Sequence, residues 1–371
     1  MPWPDLPADL PTAHRSAWVT YSNANYDPER GRELYERYLG ELVHAAAAGF
    51  DTVCVNEHHQ TPYGLMPSPN LAAMALVHRT ATANIAIIGN AVPLRDHPLR
   101  VAEEIAMLDV MSGGRIHCGL VRGIGAEYHS SGVNPVHSEE RFQEAHDLLV
   151  AAWTRPGPFA WEGRHYNLGY VNPWPRPLQT PHPPVWIPTQ GSRTTVHWAA
   201  RLRYPVVQTA APLANLAKTM DQYADAARGF GYEPDPGQLG WSPPLYIGRD
   251  DDSAVEEFRP HVEFLYNYSR HRPPAVFFPP GYLSPDSWRG VLQARGNLGR
   301  ERVTVEALIE RGEIVVGGPR TVLRILRDAI DRTGIGTLIP MVHTGTMSHA
   351  QTIANIDRFA EHVLPALTGR R

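Results

Sequence analysis

Short apolar runs alternate with amphipathic stretches along the whole chain. Strand-like runs fall at Ser16–Tyr21, Phe50–Asn56, Ile85–Gly89, Arg115–Val121, Val185–Pro188, Tyr204–Thr209, Leu239–Gly248 and Gly336–Val342. Between them the spacing predicts helices over Gly31–Ala48, Asn70–Thr82, Pro98–Met111, Ser138–Trp153, Thr194–Arg201, Leu213–Gly229, Ser253–Tyr268, Thr321–Thr333 and Ala350–Leu367. In the first of these, Leu34, Tyr38 and Leu42 share a face and Gly49 is the stop signal. About eight strand–helix units are what a parallel barrel needs, and apolar strands between helices argue for burial on both faces. The expected fold class is therefore α/β, a single (β/α)8 TIM barrel occupying residues 1–371. Two Pro- and Gly-rich excursions interrupt it, about 156–183 after the fourth strand and about 270–312 after the seventh. Loops that long often act as lids, and the second carries Phe277, Phe278, Tyr282 and Trp288.

Composition narrows the function classes. With 43% hydrophobic and 19% charged residues the chain reads as an ordinary globular protein. A net charge of −4, with both signs mixed along the chain, offers no basic stripe for nucleic acid. All but one of the 34 basic residues are arginine, Lys218 being the exception, which reads as coding bias. Cys54 and Cys118 sit inside apolar runs and form no Cys-x-x-Cys pair, so they are expected as core residues of a reduced protein, with no metal site. Met1 to Arg15 lacks the apolar core of a signal peptide, and no stretch is long enough to span a membrane. A cytoplasmic location is the expectation.

Four places carry candidate chemistry. The strand Phe50–Asn56 runs straight into Glu57, His58 and His59, and side chains at strand ends of a parallel sheet face the ligand crevice. A carboxylate with two imidazoles can move protons near neutral pH. Neighbouring histidines on an extended chain point apart, so a shared metal ion would reach only one easily. After the next strands, Val121-Arg122-Gly123-Ile124-Gly125 offers a guanidinium and bare amides to a phosphate, but Tyr128 stands where a dinucleotide loop would have its third glycine. Gln190-Gly191-Ser192-Arg193-Thr194-Thr195 can seat a phosphate at a helix start, or simply cap that helix through Ser192 or Thr194. In Pro93–Glu104, His97 or Asp96 caps a helix and Arg100 is spaced to pair with Glu104, while Glu103 lies near enough to the helix start to reach the site.

These pieces, in this order, resemble the bacterial luciferase family of flavin-dependent monooxygenases, with a particular likeness to the alkanal-oxidising subunits. The likeness runs from Gly49-Phe50-Asp51-Thr52-Val53 and Glu57-His58-His59 through Val92-Pro93, His97-Pro98 and Ala102-Glu103-Glu104. It continues with Leu108-Asp109, Met111-Ser112-Gly113-Gly114-Arg115, Val121-Arg122-Gly123, Glu140-Arg141-Phe142, Gly191-Ser192, Thr194-Thr195 and Thr333-Gly334-Ile335. Two departures are visible: Gly191 replaces a glutamate of luciferase itself, and Val121 replaces a cysteine that some luciferases carry. The Pro-rich second excursion also implies a different substrate.

The resemblance implies a barrel that binds reduced FMN, forms a hydroperoxide on the flavin 4a carbon with dioxygen, and oxygenates a partly apolar organic substrate. It makes His58 the catalytic base, with Glu57 and His59 beside it. Arg122, Arg141, Ser192 and Thr195 match phosphate-holding positions. Gly89 matches a small residue packed on the flavin ring, often through a cis peptide. Glu103, Val121, Gly191 and Thr194 complete the expected cofactor set. No second nucleotide fold is visible, so a separate flavin reductase is the expected partner and a homodimer the expected assembly. Three alternatives stay open: a deazaflavin-dependent oxidoreductase on the same fold, a metal-dependent barrel hydrolase using Glu57, His58 and His59, and a flavin-storing protein without catalysis.

Overall fold

Parallel strands flanked by helices carry the fold, seen in a computed structural model that describes residues 2–270, 273–283, 288 and 302–369. In chain order the strands are β1 (Thr52–Val55), β2 (Asn84–Ala91), β3 (Ile116–Val121), β4 (Phe159–Glu162), β5 (Asn167–Val171) and β6 (Val185–Thr189). They continue with β7 (Val206–Thr209), β8 (Leu239–Ser242), β9 (Leu245–Ile247), β10 (Val315–Gly317) and β11 (Thr337–Leu338). Seven of them form one sheet in the order β1-β2-β3-β6-β7-β8-β11, every pairing parallel. A parallel pair needs a long crossover, and helices such as Pro69–Val77, Leu99–Ser112, Ser138–Thr154 and Leu213–Gly229 supply it.

One set of strand side chains packs against those helices. Val53, Val55, Ile85, Ile87, Ile116, Cys118, Val185, Ile187 and Val206 join Leu76, Ile105, Leu148, Leu149, Trp153 and Leu216 in one buried cluster. Each fully buried aliphatic chain contributes roughly 1.5–3 kcal/mol, so strand ends are held firmly and loops can carry chemistry on a rigid frame. Both cysteines are free, and burial pushes each thiol up to about 12. Among the described residues no helix is long and apolar enough to cross a membrane.

The N-terminal strand expected over Ser16–Tyr21 is instead a run of turns. Thr20 Oγ1 donates to the Ser16 carbonyl at 2.8 Å, and the Ser16 hydroxyl accepts from the Trp18 amide at 3.1 Å. Such local side-chain bonds compete with strand pairing. The sheet therefore shows seven of the eight expected strands. The helix expected to reach Thr82 ends at Val77, where Arg115 NH2 and NH1 donate to the Val77 and Ala83 carbonyls at 3.0 and 2.7 Å. Asp251–Phe264 is followed by a wider turn over Leu265–Ser269, shortening the helix predicted through Tyr268.

Neither excursion is structureless. The first holds the antiparallel hairpin β4–β5, pinned to helix Ser138–Thr154 because Glu144 accepts from the His165 and Tyr166 amides, both at 2.9 Å. The second opens with a helical turn over Pro274–Phe277 and closes with helix Val305–Glu310 and β10. β10 pairs in parallel with β9, the part of the stretch expected over Leu239–Gly248 that lies beyond Pro243-Pro244. Of the aromatics expected in the second excursion, Phe277, Phe278, Tyr282 and Trp288 are all described, whereas 284–287 and 289–301 lie outside the described residues.

Candidate functional site

The chain leaves β1 and turns Glu57 inward at the ends of β1 and β2. Its side chain is fully buried: Oε1 accepts from His59 Nε2 at 2.5 Å, while Oε2 accepts from Arg95 NH2 at 2.9 Å and the Ala91 amide at 3.2 Å. One carboxylate thus ties two strand exits and the following loop together. The hydrogen bond to Glu57 raises the pKa of His59 above that of a free histidine, against the opposing effect of burial. Arg95 was legible only as part of a helix-capping stretch, so its role here comes from the fold.

His58 turns elsewhere. Its ring meets Trp18 and Tyr63 edge-on at 5.4 and 4.9 Å, and a Cβ on Gly64 would lie 3.0 Å from its Cδ2. Nδ1 is buried, lies 3.6 Å from Glu127 Oε1, and has no hydrogen-bond partner among the described residues. Glu127 is itself buried, accepting from the His59 amide at 3.3 Å and the Ile124 amide at 2.8 Å. Sequence reading missed Glu127, although it lies two residues past a Gly-x-Gly turn already singled out. The imidazole therefore sits in an aromatic pocket with one nitrogen facing a carboxylate, an arrangement able to hold or release a proton. Glu57 is engaged with His59 and Arg95 while His58 faces Glu127, so the three residues are not gathered as a ligand set for one ion.

Within β2, where its register against β3 shifts between Ile87 and Asn90, the Ile88–Gly89 peptide is cis. A Cβ on Gly89 would stand 2.9 Å from the Gly119 carbonyl carbon, and one on Gly119 would stand 2.2 Å from the Ile87 oxygen. Backbone meets backbone here, and only glycine permits it. Val121 closes β3 opposite Ala91.

Beyond Val121 lies Arg122, mostly enclosed, its guanidinium 4.8 Å over the Tyr282 ring and its NH1 3.9 Å from Glu139. Tyr282 Oη donates to the Gly123 carbonyl at 2.6 Å, and burial raises its pKa so that the hydroxyl stays a neutral donor. A Cβ on Gly125 would fall 2.1 Å from the Phe277 oxygen. The start of the second excursion therefore rests directly on the Arg122–Gly125 loop. Across from it, Gly191 adopts φ +85° and leads into helix Arg193–Arg201. Ser192 makes no side-chain cap; its hydroxyl pairs with the Thr194 hydroxyl at 3.1 Å. Arg122, Thr194 and Thr195 line one small cleft with Glu139, Phe142 and Trp198.

Two expected members stand apart. Arg141 Nε and NH2 donate to the Pro93 and Arg95 carbonyls at 2.9 and 3.1 Å, and its guanidinium lies 4.9 Å from the Tyr166 ring, so it braces the loop carrying Arg95. Glu103 pairs with Arg100 at 2.6 Å on the outer face of its helix. The pairing expected between Arg100 and Glu104 is replaced, since Glu104 accepts from Asn70 Nδ2 at 2.7 Å. A wider cleft opens on the other side, lined by Trp18, His59, Ala126 and His129.

A model of the luciferase-like monooxygenase family matches residues 15–337. The alkanal monooxygenase alpha chain of Aliivibrio fischeri is 30% identical over 332 residues, covering 86% of this chain and 89% of that protein. Among solved structures, monooxygenase RslO1 from Streptomyces bottropensis superposes with a TM-score of 0.70 at 26% identity, covering 90% of this chain and 93% of that one. The oxygenating constituent of 3,6-diketocamphane monooxygenase from Pseudomonas putida, a type II Baeyer-Villiger monooxygenase in complex with FMN, shares the fold. Its TM-score is 0.70 at 21% identity, with 90% and 93% covered.

Proposed function

The chain belongs to the luciferase-like monooxygenase family, and from that premise we propose that it is the oxygenase of a two-component system, taking reduced FMN from a separate flavin reductase. One observation carries the reading: Arg122, Thr194 and Thr195, from two different strand exits, face one cleft. The donor set suits a phosphate, combining a guanidinium fork, hydroxyls, and a helix start that no side chain caps. A side chain at Gly191 would lie 2.8 Å from Thr219 Oγ1 and would have to adopt φ +85°, so the tight turn into this helix start depends on glycine.

When bound, reduced flavin supplies the electrons that activate dioxygen, one oxygen atom going to the substrate and the other leaving as water. The protein's own part is positioning, proton control and water exclusion. Arg122, Ser192, Thr194 and Thr195 hold the phosphate, and Gly89, Val121 and Gly191 give the cofactor backbone-lined surface. His58 exchanges a proton with the reacting group, its Nδ1 facing Glu127, while Glu57 fixes His59 and Arg95 around it. Phe277, Phe278 and Tyr282 shield the mouth from water. The substrate is a partly apolar organic molecule.

On the same reading the sheet belongs to one eight-unit barrel spanning 1–371, and the protein works in the cytoplasm as a homodimer. Met107, Val110 and Met111 on helix Leu99–Ser112 and Leu71 on the neighbouring helix are exposed apolar residues that fit such an interface. Sedimentation velocity of the purified chain reads that state, and a monomer at micromolar concentration rules the dimer out.

Anaerobic titration of the full chain with reduced FMN and, in parallel, reduced deazaflavin tests the cofactor. The expected result is preferential binding of reduced FMN, followed by oxygen uptake on exposure to air. Tight deazaflavin binding with no oxygen uptake overturns the proposal in favour of a hydride-transferring enzyme.

A further inference from the structure

Away from the cleft, His137, Glu140 and His165 bring three metal-ligating atoms within 4.8 Å of one another. We infer that this cluster is a binding site for a divalent transition cation of the zinc type, clamping the β4–β5 hairpin to the start of helix Ser138–Thr154. The inference does not depend on the flavin reading.

The residues come from two elements. His137 and Glu140 are three apart at the helix start, so they share a face. His165 follows the Gly163-Arg164 turn of the hairpin. Glu140 Oε2 lies 3.2 Å from His165 Nε2 and 3.7 Å from His137 Nδ1. Metal–ligand bonds near 2.0–2.1 Å in a tetrahedron put neighbouring ligand atoms about 3.4 Å apart, and the two separations bracket that value. The imidazole rings are 5.5 Å apart between centroids. Small rotations about χ angles bring all three onto one ion, with water as a fourth ligand.

His165 is also held in place beforehand. Glu144 accepts from the His165 and Tyr166 amides at 2.9 Å each, fixing the turn that presents it, and the imidazole side chain is only 11% exposed. Oriented ligands backed by a second layer of hydrogen bonds are what distinguish a built site from a chance surface cluster. Two imidazoles and one carboxylate suit zinc or cobalt, and are too poor in oxygen for calcium or magnesium.

Arg164 NH1 lies 2.9 Å from the Glu140 carboxylate, the position a cation would contest. That side chain is 69% exposed and can swing into water when the ion enters. Arg164 is thus a competitor, and its removal should tighten binding.

The test is a titration of the chelator-stripped full chain, carrying no affinity tag, with Co2+, following the visible bands of tetrahedral cobalt and their loss on Zn2+ addition. One equivalent is expected to bind, with H137A and H165A each weakening it at least about tenfold and R164A strengthening it. Zn2+ should raise the melting temperature of the wild type and leave that of H137A unchanged. His137 is 41% exposed, so H137A reports on binding even where H165A disturbs the hairpin. No stoichiometric cobalt site, or equal affinity in wild type, H137A and H165A, overturns the inference, as does weaker binding in R164A.

Discussion

Two corners at the strand ends of the parallel sheet are built on opposite plans. At the ends of β1 and β2 both oxygens of Glu57 are already taken by His59, Arg95 and the Ala91 amide. At the ends of β3 and β6 donors outnumber acceptors: Arg122 rests on an aromatic ring with a carboxylate only at 3.9 Å, and Ser192 leaves its helix start uncapped. A buried carboxylate with both oxygens engaged holds its shape with nothing bound, whereas a surplus of donors waits for an anion. The first corner is therefore expected to govern chemistry and stability, and the second ligand affinity alone.

The largest effect belongs to His58, which borders the first corner but is not tied into it. His58→Ala should lower product formation by about 10²–10⁴-fold, the usual share of a positioned acid or base. Flavin affinity should move little. The comparison breaks if oxygen-dependent product formation survives at the wild-type rate in this variant.

Next comes Glu57→Gln, which strips the negative charge from a buried position and leaves Arg95 and His59 without their partner. Breaking a buried pair from one side costs about 3–5 kcal/mol, to be read as a lower midpoint in urea denaturation. A pH signature accompanies it. His59 has a raised folded-state pKa, so its contribution to stability is complete below about 6.5, the unfolded value. That contribution fades as pH rises through the higher folded-state value. Glu57→Gln should flatten this slope, and a variant that keeps the wild-type slope would detach His59 from the network.

These two corners were not equally legible in the sequence. Glu57, His58 and His59 are visible because an apolar strand delivers them together. Arg95 and Glu127 are not, since each acts through residues far along the chain: Arg95 reaches back to Glu57, and Glu127 reaches His58 and His59. Glycine turns at two strand exits marked Arg122, Ser192, Thr194 and Thr195 as candidates while leaving a plain helix cap open, and the fold brings Arg122, Thr194 and Thr195 to one cleft. The role of Arg141 was not, because its carbonyl partners at Pro93 and Arg95 exist only once two helices pack. Glu103 shows how a helix start can mislead, since a partner three residues away claimed its carboxylate. The strand pattern was reliable where both faces are buried, and failed at Ser16–Tyr21, where hydroxyls bond their own backbone. The alternating Phe159-Ala160-Trp161-Glu162 did carry a hairpin signal, hidden among prolines and glycines.

Arg122→Ala sharpens the contrast from the other side. A charge-assisted bond to phosphate is worth about 1.5–3 kcal/mol, so reduced FMN affinity should fall by roughly 10–150-fold. Folding stability should stay nearly level, because a 3.9 Å pair with half-exposed Glu139 contributes little. Riboflavin, which has no phosphate, is the control. Its affinity should be the same for wild type and variant, and an equal loss for both ligands would place Arg122 against the ring and not the phosphate.

Ser192→Ala is the smallest change and separates two roles for one hydroxyl. A serine that caps a helix costs about 1 kcal/mol of stability when replaced by alanine. Among the described residues Ser192 makes no such cap, and its hydroxyl bonds only Thr194. Stability of the variant should therefore match wild type within experimental scatter. A hydroxyl that binds phosphate as a neutral donor contributes about 1 kcal/mol, so reduced FMN should bind about fivefold more weakly. The pattern expected at the open corner is thus a loss of affinity without a loss of stability, the reverse of Glu57→Gln. A drop in melting temperature with unchanged FMN affinity would return Ser192 to an ordinary helix start and leave Arg122, Thr194 and Thr195 to hold the anion.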